Sequence, residues 1–320
     1  MLTYCRPHGS IAEGIFRRRY LADLPGIVED AHGNLHVKIG ASPILWSSHT
    51  DTVHREQGIQ SLRINAREQT IRLSRRSKRF SNCLGADDTV GVFIMREMIL
   101  RGVAGHYIFH YGEEKGGIGS GNLARLTPEL IDRHTLFAIA FDRQGTSDVI
   151  TSQFGGDTAS DAFAWSLAKQ LPGSYKPCPG VYTDTAEYAD IIPECTNVSV
   201  GYYREHTPGE YVDTSHVARL LDAVCEIDPD SLVCARDPNA PKPVYTSRAY
   251  TSYDRLWDNP RTSYGILSDD AEWCHWCDAP IVYEDDDYPA TSDHCVCSPE
   301  DSYDGLTDED VRFLRYLRGR

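Results

Sequence analysis

The chain has 320 residues, of which 41% are hydrophobic and 25% are charged. It contains no apolar run long enough to cross a bilayer, which excludes a membrane-spanning role, and its length allows one large core plus a smaller part. The N-terminus lacks an apolar segment followed by a small-residue cleavage site. We therefore expect a cytoplasmic protein, in which the ten cysteines do not form a disulfide framework.

The formal charge of −15 is concentrated towards the C-terminus. Residues 226–320 contain 21 acidic and 9 basic residues, a net charge of −12, which leaves −3 for residues 1–225. We therefore expect a nearly neutral main domain over 1–225, followed by an acidic extension over 226–320. Binding to nucleic acid would require a basic stripe facing the phosphates, and this charge distribution argues against it.

Strands and helices alternate along the main domain, which is typical of an α/β sheet covered by helices on both faces. The hydrophobic pattern predicts, in chain order, a helix at 11–24, two strands within 26–39, a strand at 43–48, a hairpin at 62–73, a helix at 88–101, strands at 107–111 and 135–141, a helix at 158–171, a strand at 198–203 and a helix at 214–226.

Polar side chains follow the predicted strands at the points where they end. His49 and Asp51 come directly after the strand at 43–48 and point the same way on extended chain. That spacing suits a metal-binding imidazole whose other nitrogen is held by an acid. Two further acids, Asp87 and Asp88, begin the helix at 88–101, where they also suit a helix cap.

The same arrangement recurs at later strand ends. Glu113 and Glu114 follow the strand at 107–111, and the alternative interpretation is a solvated charge pair. Asp142 and His206 each follow another predicted strand. Because open α/β sheets bind ligands in the crevice outside the carboxyl ends of their strands, we expect one site built from two histidines and several carboxylates.

The order His-x-Asp, Gly-Ala-Asp-Asp, Glu-Glu, Asp and His resembles that of the co-catalytic dinuclear zinc exopeptidases. This family includes bacterial leucyl-type aminopeptidases, peptidase T and carboxypeptidase G-type enzymes, and the resemblance covers residues 1–225. It implies a hydrolase fold, with a mixed, mostly parallel sheet sandwiched by helices, which agrees with the hydrophobic pattern. It also implies two active-site Zn²⁺ ions, with Co²⁺ or Mn²⁺ as alternatives.

The resemblance assigns a role to each matching residue. His49 and Asp142 would bind one metal, Glu114 and His206 would bind the other, and Asp87 would bridge the two. Glu113 would be the general base towards a water activated by the two metals, and Asp51 would hold His49.

The main departure from peptidase T and carboxypeptidase G-type enzymes lies between Asp142 and His206. Those relatives carry a whole lid or dimerisation domain there, whereas in this chain His206 follows Asp142 by only 64 positions. The chain therefore resembles the compact aminopeptidase branch without the lid. Asp184 corresponds to an acid near the site in that branch, and the alternative is a turn-forming role.

Two arginines adjoin predicted metal ligands. Arg143 follows Asp142, and Arg204 lies two residues before His206. Either arginine could bind a substrate carboxylate or peptide carbonyl, and the alternative for each is an ordinary salt bridge with a neighbouring acid.

The acidic extension contains two pairs of cysteines that predict a zinc knuckle over 274–297. A structural Zn²⁺ would take three cysteines plus one of two neighbouring residues, namely Cys274, Cys277 and Cys297 with either His294 or Cys295. The alternative is a set of reduced cysteines without a metal.

We therefore predict a cytoplasmic zinc metallopeptidase that acts on a peptide or acyl-amino-acid substrate, with its oligomeric state open. The preferred activity is an aminopeptidase acting on short peptides. One alternative is a deacylase or carboxypeptidase, and another is a catalytically silent relative that binds peptides or proteins.

Overall fold

The computed structural model of this protein describes residues 1–240. The residues of the predicted zinc knuckle, Cys274, Cys277, His294, Cys295 and Cys297, lie outside the described residues. Within residues 1–240, no helix has the length and apolar character needed to span a membrane.

The described residues form helices α1 (Ile11–Tyr20), α2 (Ala86–Leu100), α3 (Ile118–Leu126), α4 (Asp161–Ala168) and α5 (Thr214–Cys225). Their strands are β1 (Tyr4–Cys5), β2 (Val28–Glu29), β3 (Leu35–Ile39), β4 (Ile44–His49), β5 (Gly58–Ile59), β6 (Leu62–Asn65), β7 (Thr70–Leu73), β8 (Gly105–His110), β9 (Phe137–Arg143), β10 (Asp148–Gln153), β11 (Gly156–Asp157), β12 (Lys176–Pro179), β13 (Glu194–Ser199), β14 (Tyr202–Tyr203) and β15 (Tyr211–Asp213).

A mixed central sheet organises these elements in the order β11-β10-β13-β9-β4-β8-β3-β2, and β12 also pairs with β10. The four middle strands, β13, β9, β4 and β8, are mutually parallel, while β10 and β3 flank them in antiparallel orientation. The carboxyl ends of the four middle strands therefore meet at one edge of the sheet.

Side chains alternate between the two faces of the sheet and build a core on each. Trp46 of β4 and Phe141 of β9 belong to the larger core and stack in parallel, with ring centroids 5.6 Å apart. Leu45, the neighbour of Trp46 on β4, belongs to the smaller core together with Leu123 of α3. Both faces are thus covered, as expected for a sheet whose central strands are continuously buried, and the predicted fold class is confirmed.

A second, four-stranded antiparallel sheet runs in the order β14-β15-β7-β6. The hydrophobic pattern of the sequence predicted the hairpin at 62–73 in this sheet. It predicted one strand over 198–203, where the structure has a break at Val200 and Gly201 between β13 and β14. The connection between β14 and β15, residues 204–210, carries His206.

The chain continues to pack on the sheet beyond residue 225. Leu232 is buried, and the backbone N–H groups of Ala235 and Arg236 donate to the carboxylate of Glu194 at 2.7 and 2.9 Å. The Arg236 side chain donates to the carbonyl oxygen of Pro193 at 2.7 Å. These contacts satisfy polar groups at the start of β13.

Helix α2 lies so close to β9 that a side chain at Gly91 has no room. A methyl group there would clash with the carbonyl oxygen of Phe141. We expect Gly91→Ala to lower the free energy of unfolding by about 1–3 kcal/mol, because the helix must move away from the sheet. Urea unfolding of the full chain measures this change.

Gly14 in α1 provides the matched control, since a methyl group there meets nothing within 4 Å. We expect Gly14→Ala to leave stability unchanged or to raise it by about 0.5–1 kcal/mol, because alanine favours the helix. Equal effects of the two substitutions would contradict the close approach of α2 to β9.

Candidate metal centre

The sheet brings the predicted ligands together at the carboxyl edge of its parallel strands. His49 is the last residue of β4, and Asp142 is the penultimate residue of β9, its neighbour. Glu113 and Glu114 lie in a 3₁₀ turn shortly after β8, the strand on the other side of β4. Gly112 starts that turn with φ +74°, a conformation that side chains disfavour.

The two adjacent acids at the start of α2 have different tasks. Neither Asp87 nor Asp88 has helical backbone angles, so the regular helix begins after them. Asp88 is fully buried, and its Oδ1 accepts from the backbone N–H of Gly91 at 2.9 Å, which is the bond of a helix cap. Its Oδ2 accepts from the N–H of His49 at 3.2 Å. Asp87 is thereby left to face the imidazoles.

Asp87 lies between the two predicted metal-binding histidines. Its Oδ1 is 3.1 Å from Nε2 of His49, and its Oδ2 is 3.1 Å from Nε2 of His206. Asp142 Oδ1 is 3.6 Å from Nε2 of His49, and Glu114 Oε1 is 3.3 Å from Nε2 of His206. A carboxylate that offers one oxygen to each of two imidazoles has the arrangement required of a bridging ligand.

Asp51 orients His49 and the turn that carries Glu113. Nδ1 of His49 is 3.1 Å from the backbone carbonyl oxygen of Asp51, and since that oxygen can only accept, Nδ1 is the protonated nitrogen. Nε2 is then available as a ligand. Asp51 Oδ1 lies 3.4 Å from Nδ1 and accepts from the backbone N–H of Glu113 at 3.2 Å.

Asp142 is held by side chains from three later segments. Thr183 donates to its Oδ2 at 2.6 Å, and the Tyr202 hydroxyl donates to its Oδ1 at 3.2 Å. Asn197 accepts from its backbone N–H at 2.9 Å and donates to its carbonyl oxygen at 2.7 Å. The backbone and carboxylate of Asp142 are therefore both fixed before any metal binds.

The density of carboxylates perturbs their protonation. Burial, and then repulsion from Asp87, raise the pKa of Asp142 to about 6 and of Glu114 to about 7. Burial also raises the pKa of Glu113 well above its usual range. Hydrogen bonds to Asp87 and Glu114 raise the pKa of His206 to about 11. The cluster thus retains protons at neutral pH, because a cation is needed to balance its charge.

The donor atoms fit divalent metals that prefer nitrogen and oxygen ligands. Three groups of residues each bring their ligand atoms within 4.8 Å of one another, namely His49 with Asp88 and Asp142, His49 with Glu113 and Glu114, and Asp87 with Glu114 and His206. Imidazole and carboxylate donors are those that Zn²⁺, Co²⁺ and Mn²⁺ accept. The chemistry of the donors therefore agrees with the predicted metals.

The three residues predicted to bind substrate have different surroundings. Asp184 is buried, its Oδ1 accepts from the Ser120 hydroxyl at 2.5 Å, and burial raises its pKa to about 8. Arg143 forms an ion pair with Asp148 at 3.2 Å, the alternative that the sequence left open. Arg204 lies in the β14–β15 connection, two residues before His206.

Several residues that shape the site escaped the sequence analysis. Glu210 accepts four backbone N–H groups of the turn before α2 and is almost fully buried. Glu13 accepts from the Thr50 hydroxyl at 2.6 Å, next to His49. The signal for Glu13 was its place on the buried face of α1, between Ala12 and Phe16.

Comparison with solved structures identifies proteins that share this fold. Neither a protein-family model nor a curated protein matches the chain. A tripeptidase from Staphylococcus aureus is 16% identical over 72% of this chain and 95% of its own, with a TM-score of 0.54. The aminopeptidase PepT from Bacillus cereus is 14% identical over 70% of this chain and 94% of its own, with a TM-score of 0.52. A TET aminopeptidase from a marine sediment thaumarchaeote is 13% identical over 72% of this chain and 96% of its own, with a TM-score of 0.52. The chain has the fold of these peptidases.

The peptidase fold is present here without an inserted lid between Asp142 and His206. The intervening residues form β10, β11, α4, β12 and β13, which belong to the central sheet or pack on it, and β14, which belongs to the second sheet. The predicted resemblance to peptidases is therefore confirmed at the level of the fold.

We expect Zn²⁺ to bind the full chain at least about tenfold more tightly at about pH 8 than at about pH 6, because metals displace protons from their ligands. With pKa values of about 6 for Asp142 and about 7 for Glu114, part of the donor set is protonated at the lower pH. Competition with a chelator at each pH measures the affinity. Equal or weaker binding at the higher pH would contradict the raised pKa values.

Without metal, shifted pKa values determine how the free energy of unfolding changes with pH. The pKa of Glu114 is raised from 4.5 to about 7, so its contribution to stability is present below 4.5 and is lost as the pH rises through 7. Burial lowers the pKa of His54 to about 4 and of His106 to about 3, which gives the opposite slope below the usual histidine pKa. The free energy of unfolding should therefore be measured with and without metal at each pH.

Proposed function

We propose that the protein is a metal-dependent exopeptidase, and specifically an aminopeptidase acting on short peptides. The observation that carries the proposal is the position of Asp87, with one oxygen 3.1 Å from each of the two imidazoles, His49 and His206. The peptidase fold of the chain supports it.

The residues present would hold two cations. His49 and Asp142 would bind one, Glu114 and His206 would bind the other, and Asp87 would be shared. Two divalent ions held in this way supply Lewis acidity to a scissile carbonyl and lower the pKa of a nearby water.

Glu113 lies beside His49, one of the predicted metal ligands. Its Oε2 lies 3.9 Å from Nε2 of His49, and its backbone is held by Asp51 Oδ1. We assign it the role of general base, which accepts a proton from the attacking water and delivers it to the leaving amine.

The charge of the site favours a substrate with a free amino terminus. Two bound cations would balance the carboxylates around them, which leaves Asp184 as a further buried acid. Arg143, which could have bound a terminal carboxylate, is engaged by Asp148. A positively charged α-amino group is therefore a better match than a carboxylate, and the names of the similar structures, two aminopeptidases and a tripeptidase, agree with this.

We expect Glu113→Gln to lower kcat about 10²–10⁴-fold, because glutamine cannot accept the proton, while both metals stay bound. Peptide hydrolysis and metal content of the purified full chain measure the two effects. Glu114→Gln is the matched control, since loss of a ligand should reduce both metal content and hydrolysis. Unchanged turnover of Glu113→Gln would remove Glu113 from this role.

A panel of free-amine peptides, N-acetylated peptides and N-acyl amino acids tests the substrate class. We expect the metal-loaded protein to hydrolyse the free-amine peptides only. Cleavage of the acylated compounds instead would assign a deacylase or carboxypeptidase. Absence of all hydrolysis, with both metals bound, would leave a silent peptide-binding relative.

A further inference from the structure

The carboxylate of Glu210 is bound by four consecutive backbone N–H groups. Leu84 and Gly85 donate to Oε2 at 2.7 and 2.9 Å, and Ala86 and Asp87 donate to Oε1 at 2.7 and 3.2 Å. The Glu210 side chain is 1% exposed. All four bonds go to a single turn, the one that ends in the predicted bridging residue Asp87.

The turn at residues 84–87 depends on an anion that can accept several backbone N–H groups at once. Gly85 has φ +68°, and this left-handed residue lets successive N–H groups converge on one anion instead of alternating in direction. The turn leads into helix α2, whose first N–H groups lack intrahelical partners. Because Glu210 is the acceptor for all four donors, the turn would have to rearrange without it.

Glu210 also belongs to the segment that carries His206. The connection between β14 and β15 is folded on itself, since the Thr207 hydroxyl donates to the carbonyl oxygen of Arg204 at 2.7 Å. The backbone N–H of Glu210 donates to the carbonyl oxygen of Thr207 at 3.1 Å, which closes a turn directly after His206. The backbone of Glu210 therefore closes the His206 connection, while its side chain holds the Asp87 turn.

We propose that Glu210 is a positioning residue that fixes Asp87 and His206 relative to each other and thereby sets the affinity of the Asp87, Glu114 and His206 site for its metal. This inference rests on the proposed function, because it takes Asp87 and His206 as ligands. Glu210 itself is not a ligand, since its two oxygens are occupied by the four N–H groups.

The chain offers a matched control in Glu194. Its carboxylate is also fully buried and accepts backbone N–H groups, from Ser160 at 2.6 Å, Ala235 at 2.7 Å and Arg236 at 2.9 Å. It lies at the amino end of β13, and the segments it binds carry none of the predicted active-site ligands. Substitution of Glu194 by glutamine therefore disturbs a similar buried carboxylate without touching the metal centre.

The test is Zn²⁺ titration against a chelator with the full chain, for the wild type, Glu210→Gln and Glu194→Gln. We expect Glu210→Gln to weaken one of two bound ions by about 10–100-fold, the range for residues that orient metal ligands. Glu194→Gln should lower the thermal midpoint while leaving both affinities as in the wild type. Wild-type affinities in Glu210→Gln, or equal losses in both variants, would overturn the inference.

A second measurement covers the case in which Glu210→Gln does not fold. Hydrogen exchange of the metal-free wild type should show the amides of residues 84–87 protected, because Glu210 holds them without a metal. Glu210→Asp keeps the charge but shortens the side chain, so we expect faster exchange at 84–87 and an intermediate loss of affinity. Rapid exchange of these amides in the wild type would overturn the inference.

The outcomes separate this inference from the proposed function. A wild-type chain that binds no Zn²⁺ but protects residues 84–87 would contradict the metallopeptidase proposal, and with it the effect assigned to Glu210 on metal affinity. A wild-type chain that binds two ions and hydrolyses peptides, with Glu210→Gln indistinguishable from it, would contradict the inference alone.

Discussion

The structure depends on the concentration of partly buried carboxylates around two imidazoles. The acids Asp87, Asp142, Glu113 and Glu114 lie at one edge of the sheet with His49 and His206, and like charges at this spacing destabilise one another unless protons or metal ions balance them. Burial, and then repulsion from Asp87, raise the pKa values of Asp142 and Glu114. A fold that places these groups together must therefore hold them rigidly, and their charges must be balanced by protons or metal ions.

The rigidity comes from a layer of polar residues behind the acids. Asp51 orients His49 and the Glu113 turn, while Asp142 is fixed by Thr183, Tyr202 and Asn197. Glu210 holds the turn before Asp87. Most of these bonds link segments far apart in the chain, so the centre is preorganised by the folded sheet rather than by local sequence.

Much of the fold could be predicted, because periodicity reports burial along a single element. The strand at 43–48 and the helix at 214–226 appear in the structure within about two residues of their predicted bounds. The pattern missed α3 and the strands β10 to β12, whose short segments carry little periodicity. It also extended the first helix to residue 24, whereas α1 ends at Tyr20.

The sequence by itself determined which residue types end the strands and in what order, because strand ends are marked by local hydrophobic pattern and turn residues. The resemblance to the zinc exopeptidases then nominated His49, Asp87 and His206 as partners. Only the tertiary structure decided that Asp88 caps a helix while Asp87 faces both imidazoles, and that Arg143 pairs with Asp148. It also decided that Glu210 binds the Asp87 turn from 123 positions further along the chain. Those outcomes depend on distances between remote segments or on the direction of one side chain, and a local pattern contains neither.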